Sequence, residues 1–162
     1  PAMNLGLKAA NEKIYNALMY GVSVTEFIDG KKASPTIKLI DWHHIDNNQF
    51  HFTEELVVQN AEGTGNRIPD IVCFVNGIPF VVIENKKSSV SVAESINQMN
   101  RNQGPEFCPK LFTYTQLLVG TNGKELQAII RELWNFFSSI STMSFKPTSI
   151  FFIFSFLGFY GY

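Results

Sequence analysis

Residues 67–86, RIPDIVCFVNGIPFVVIENK, decide the fold of this chain. Two runs rich in β-branched and aromatic residues, 71–75 and 78–83, flank Asn76-Gly77, a strong short-range hairpin signal. Both runs are apolar at odd and even positions alike, which predicts strands covered on both faces. Asp70, Glu84 and Lys86 stand at the ends of this apolar core. Side chains alternate along a strand, so Glu84 and Lys86 share a face and Asn85 points away. Whether Asp70 joins them depends on register. A two-residue Asn76-Gly77 turn pairs Val75 with Ile78 and places Asp70 on the opposite face. A three-residue loop, with Gly77 left-handed, pairs Asp70 with Val82 and brings it to the face of Glu84. Cooperation of the two acids therefore predicts the odd-length loop, or a break at Pro69.

Two carboxylates and a lysine converging there suit a Mg²⁺ site for phosphodiester hydrolysis. Mg²⁺ prefers oxygen ligands, takes one or two carboxylates and keeps its other positions for water and phosphate oxygens. On spacing alone, a Glu–Lys pair finishing a strand near a solvated aspartate is the commoner explanation, because D-x(13)-E-x-K is permissive.

The surrounding words are more specific. Pro69-Asp70 followed by Glu84-Asn85-Lys86 is similar to the PD-(D/E)xK nuclease signature. The whole stretch resembles the amino-terminal nuclease domain of the R (restriction) subunit of type I restriction–modification enzymes. The resemblance runs over residues 11–123. It includes NNQFHFTEELVVQ (47–59), SINQMNRNQ (95–103) and LFTYTQLLVGTNG (111–123). It implies an α/β (α+β) fold, a restriction-endonuclease-like mixed central sheet flanked by helices. The implied activity is that of a Mg²⁺-dependent type I site-specific deoxyribonuclease, with Mn²⁺ as substitute. Asp70, Glu84 and the Asn85 backbone carbonyl would hold the metal, and Lys86 would act in catalysis. A Gln-x-x-x-Tyr element of the family falls on the next helix. Gln98 matches its glutamine, and Asn102 stands where the tyrosine is expected. Lys87, Arg101 and Asn102 are the weaker candidates for DNA contact. The implied partners are DNA and the specificity and methyltransferase subunits. ATP would act only through a motor domain outside this sequence. The rival expectation is a catalytically inactive, truncated remnant that serves as a structural or protein-interaction module.

Composition is compatible with both. The chain has 162 residues, 45% hydrophobic and 17% charged, which suits one globular domain with a sizeable core. A net charge of −1 gives no basic footprint, which argues against a dedicated DNA-binding module but not against a nuclease whose partners hold the DNA. Cys73 and Cys108 read as reduced thiols. No charged segment followed by an apolar one opens the chain, so a cytoplasmic protein is expected. Pro1-Ala2 ahead of Met3 and the lack of upstream helical sequence suggest an excised fragment or a truncated gene product.

The remaining elements follow from periodicity and punctuation. Apolar residues at 7, 10, 14, 17 and 18 predict a helix ended by Gly21. Strands are expected over 22–28, 36–42 and 50–59, with a turn at Asp29-Gly30 and a loop over 60–66. His43, His44 and His51 lack the cysteines or acids of a zinc pattern and are assigned a structural or surface role. Ser88 or Ser91 is expected to cap a helix running to Gln103. Val92, Ile96 and Met99 form its apolar stripe, and Glu94, Gln98 and Asn102 share another face. Gly104-Pro105 stops this helix. A strand over 113–119 follows, parallel to 78–84. TNGKEL (121–126) contains Gly-Lys but no phosphate-binding loop, since Glu125 replaces the required hydroxyl. Residues 1–132 are taken as the nuclease-like domain. Residues 133–162 form an aromatic tail with one charge, Lys146. Its apolar end, at thirteen residues, is shorter than the roughly 20 a membrane helix needs. The tail is expected to be buried on the domain or paired with a second copy of the chain as a homodimer.

Overall fold

The structure, a computed structural model, describes residues 6–130 and 143–145. The expectations for the rest of the tail lie outside these residues. The predicted first helix forms as α1 (Leu7–Tyr20) and stops at Gly21, whose φ of +86° a side chain would strain. Two short ribbons follow: β1 (Val22–Ser23) pairs with β4 (Thr36–Ile37), and β2 (Glu26–Ile28) pairs with β3 (Lys31–Ala33) across the Asp29-Gly30 turn. The strands expected over 22–28 and 36–42 are thus each cut short. Asp41 accepts the His43 and His44 backbone N–H groups and the Asn47 side chain, which folds residues 41–47 into turns.

The expected 50–59 strand is also divided, into β5 (Phe50–Glu54) and β6 (Val58–Gln59), because Glu55 takes a left-handed φ of +49° between them. β6 pairs with β7 (Asn66–Arg67), and β8 (Ile71–Val75) and β9 (Ile78–Asn85) form the central hairpin. Then come α2 (Ala93–Asn102), α3 (Pro109–Tyr114), β10 (Leu117–Thr121), β11 (Leu126–Ile130) and β12 (Met143–Phe145). The Ser91 Oγ accepts the Ala93 N–H at the start of α2. The expected strand over 113–119 begins four residues late, since Pro109 opens a short helix that takes in Thr113 and Tyr114.

Six strands make one mixed sheet in the order β12-β11-β10-β9-β8-β5, with β9 and β10 parallel and the other neighbours antiparallel. The fold expected from the sequence, a mixed central sheet flanked by helices, is the one observed. One sheet face packs Cys73, Val75, Val81, Ile83, Leu117 and Val119 against Leu18 and Ile14 of α1. The other packs Val72, Val82 and Leu118 against Met99 of α2 and Leu111 and Phe112 of α3. No helix among the described residues is long and apolar enough to cross a membrane.

α1 is locked to α3 by one buried side chain. The Asn11 Nδ2 donates to the carbonyls of Phe112, Thr113 and Thr115 at 3.3, 2.9 and 3.0 Å, satisfying groups that a helix end leaves open. Asn11→Leu fills the same space without the donor. We expect it to lower unfolding stability by about 1–3 kcal/mol, read from the urea midpoint. An unchanged midpoint would show that α1 is held elsewhere.

Candidate metal-dependent hydrolytic site

The register of the hairpin decides which side chains meet. Val75 pairs with Ile78, so the turn is Asn76-Gly77 alone, with φ of +51° and +77°. The odd-length loop expected from the sequence does not form. Instead the register shifts inside the hairpin: Phe74 faces Pro79 and Cys73 faces Val81, leaving Phe80 as the extra residue of a β-bulge. Phe80 and Val81, though adjacent, accordingly pack into the same core. Pro79 has no N–H to offer, and such residues sit in sheets at irregularities of this kind. The exposed carbonyl of Phe80 accepts the Gln116 N–H, which starts the run of pairing to β10.

Beyond the bulge Ile71 pairs with Ile83, so Asp70 comes opposite Glu84 and on its face. The Asp70 Oδ2 accepts the Asn85 backbone N–H at 2.6 Å. The chain does leave regular pairing between β7 and β8, around Pro69, but parity is corrected by the bulge.

Glu84 is completely buried. Its Oε2 accepts the Gln98 Nε2 at 2.8 Å, and the Gln98 Oε1 accepts the Lys86 Nζ at 2.5 Å. Lys86 Nζ also lies 4.0 Å from Glu84 Oε2. One glutamine thus ties the acid to the lysine. The Glu84 Oε1 is buried with no hydrogen-bond partner among the described residues. Burial pushes the Glu84 carboxyl up to about 7, and the charge of Asp70 beside it adds to the rise; Lys86 and the Gln98 hydrogen bond pull the other way.

The close approach of α2 has a cause in Gly120, which pairs with Glu84 in the parallel register. A Cβ on Gly120 would lie 2.8 Å from the Ser95 Cβ and 3.2 Å from Ile96. Its absence lets the first turn of α2 rest on β10, one turn before Gln98. The sequence reading missed both Gly120 and Ser95. A glycine inside the run LLVGT was the available signal, since glycine in a strand marks a close backbone approach.

The other expected site residues separate. Lys87 and Arg101 are exposed, and Asn85 is exposed at the end of β9. Asn102 is buried, and its carbonyl accepts both the Cys108 N–H and the Cys108 thiol. It closes the turn into α3 and presents no side chain to DNA, so it leaves the set of contact candidates. Among the described residues no three His, Cys, Asp or Glu side chains converge. Asp70 and Glu84 are the carboxylates that meet here among the described residues. Two carboxylates, one with an unsatisfied buried oxygen, suit a hard divalent cation that keeps water in its remaining positions.

The family model for the type I restriction enzyme R protein N terminus matches residues 2–132. The chain belongs to this family. Among curated relatives of this R protein N terminus, the HindI endonuclease subunit of Haemophilus influenzae is 33% identical over 72% of the chain and 11% of its own length. The MjaVIIIP endonuclease subunit of Methanocaldococcus jannaschii is 36% identical over 67% of the chain and 10% of its own length. The EcoprrI endonuclease subunit of Escherichia coli is 33% identical over 63% of the chain and 32% of its own length. The chain thus spans about a tenth of the length of the first two relatives.

The raised Glu84 fixes a pH dependence. The folded chain holds a proton on Glu84 up to about 7, where the unfolded chain releases it near 4.5. The folded state binds more protons between these values, so metal-free stability falls as pH rises through that window and levels off above it. The loss is on the order of 2–3 kcal/mol. Glu84→Gln should flatten this slope in urea unfolding measured from pH 4.5 to 8, whereas an equal slope in the variant would assign the effect to another group.

Proposed function

We propose that this chain is the Mg²⁺-dependent endonuclease domain of a type I restriction R subunit, hydrolysing DNA phosphodiesters within a larger ATP-dependent complex. The single observation that carries the reading is the buried, unsatisfied Oε1 of Glu84 facing Asp70. Ionising this buried acid beside the charge of Asp70 is costly unless a cation compensates it. The names of the relatives, all endonuclease subunits, support the same class.

The residues divide the work. Asp70 and Glu84 would hold the metal together with the Asn85 backbone carbonyl. Asp70 is kept in place by the Asn85 N–H, and Glu84 by Gln98. Bound Mg²⁺ would supply Lewis-acid polarisation of the phosphate and a lowered pKa for water. Lys86, steered by Gln98, stands where an ammonium can orient the attacking water and offset charge that develops on the phosphate. Lys87 and Arg101 are exposed cations left to contact the DNA backbone. Cleavage of both strands requires a second copy or a second event. Sequence recognition falls to other subunits of the complex.

Calorimetric titration with Mn²⁺ tests the metal site directly. The wild-type chain should bind, and Asp70→Ala should not. Because the metal displaces a proton from Glu84, affinity should rise about tenfold per pH unit below 7 and level off above. A folded wild-type chain that takes no metal would hand the site to the rival reading, a nuclease fold kept as an interaction module.

Lys86→Ala separates metal binding from chemistry. It should retain Mn²⁺ binding and lose Mg²⁺-dependent nicking of supercoiled DNA by on the order of 10²-fold when the chain acts in its complex. Undiminished nicking would remove Lys86 from the mechanism.

A further inference from the structure

Arg67 stands three residues before Asp70 and was not among the residues the sequence singled out. It ends β7, whose partner β6 places Val58 opposite it. Val58 packs on the same sheet face as Val72, Val82 and Met99, the face on which Glu84 and Gln98 meet. The β6–β7 ribbon therefore lies on the face of the sheet that α2 and α3 cover. It is fastened there by the Ala61 N–H, which donates to the Phe107 carbonyl at 2.7 Å.

The Arg67 guanidinium lies 4.3 Å from the centre of the Phe107 ring. One of its nitrogens donates to the Asn66 carbonyl at 3.2 Å. Among the described residues no carboxylate forms an ion pair with it. A half-buried arginine held flat on an aromatic ring, without an anion, keeps most of its planar fork for a ligand. Its place three residues along the chain from Asp70 keeps its Cα within roughly 11 Å of the Asp70 Cα. Cys108, next to Phe107, is bonded to the carbonyl of Asn102, one helical turn beyond Gln98. Burial pushes the Cys108 thiol up to about 11, with Arg67 pulling it down and Glu84 pushing it further up.

We propose that Arg67, clamped on Phe107, binds a backbone phosphate of DNA within one or two nucleotides of the phosphate presented to Asp70 and Glu84. The proposal rests on the nuclease reading above and adds a fixed anion contact to it. A guanidinium fork matches the oxygens of a phosphodiester in a bidentate manner. The contact carries no base information, so it would set the register of the strand rather than choose its sequence.

The test is fluorescence anisotropy of a short random-sequence DNA duplex with the full chain in Ca²⁺ at low salt, alongside Mn²⁺ calorimetry. Arg67→Ala should weaken duplex binding by about 5–30-fold and reduce the slope of log K against log salt by about 1. Arg67→Lys should recover the slope but only part of the affinity, because charge returns without the fork. Phe107→Leu keeps the charge and removes its clamp, so affinity should drop while the slope stays. Equal affinity and slope for wild type and Arg67→Ala would overturn the proposal, as would a wild-type chain that binds Mn²⁺ yet no duplex. Absence of Mn²⁺ binding by the folded wild type is the different failure, that of the nuclease reading itself.

Discussion

One extra residue in β9 governs the site. Phe80 sits in a bulge between a two-residue turn and the functional end of the hairpin, and everything beyond it is moved by one position relative to β8. Side chains on a strand alternate with a period of two, so a shift of one residue exchanges the two faces. Without the bulge Asp70 would project toward α1 and Glu84 would have no acidic neighbour. With it the turn keeps its favourable Asn-Gly geometry, and the correction is made inside the core, where Phe80 and Val81 both find apolar partners.

The same constraint explains how a carboxylate is tolerated in the interior. Glu84 lies in the sheet between Val82 and the end of β9, with Gly120 beside it on the parallel strand. The bare backbone at Gly120 lets α2 come down far enough for Gln98 to reach both Glu84 and Lys86. One oxygen is still left unsatisfied, and burial with the charge of Asp70 holds the carboxyl at about 7. A carboxyl raised in this way costs stability as pH rises through its titration.

Around this centre the structure builds a rim from pieces that are weakly ordered as separate segments. β6, β7 and the ribbons between α1 and β5 have two or three residues each. They are held by side-chain bridges more than by pairing: Asn76 donates to the Leu39 carbonyl and to the Asn48 side chain, and the Trp42 indole donates to the Leu18 carbonyl.

The sequence by itself determined the hairpin, α1, α2 and the parallel return of β10. Their signals are local: an Asn-Gly turn, apolar periodicity and a Gly-Pro stop, whereas the expected serine cap gives way to Val92, which caps α2 with no side-chain bond. It also set apart Asp70, Glu84 and Lys86, because charge at the ends of an apolar hairpin is conspicuous, whereas Gln98 was marked only by the family resemblance. The sequence did not reveal that the strands expected over 22–28, 36–42 and 50–59 would be interrupted: the break at Glu55 is fixed by its N–H donating to the distant Asp70 carbonyl, and that around Asp41 by side-chain turns the strand pattern does not show. Nor did it place Pro109–Tyr114 in a helix, whose open end depends on Asn11, about a hundred residues earlier. Only the tertiary structure decided the face of Asp70, the burial of Asn102 and the company of Arg67. Each depends on register and on the distance between packed elements, and these are fixed by contacts between residues far apart in the chain.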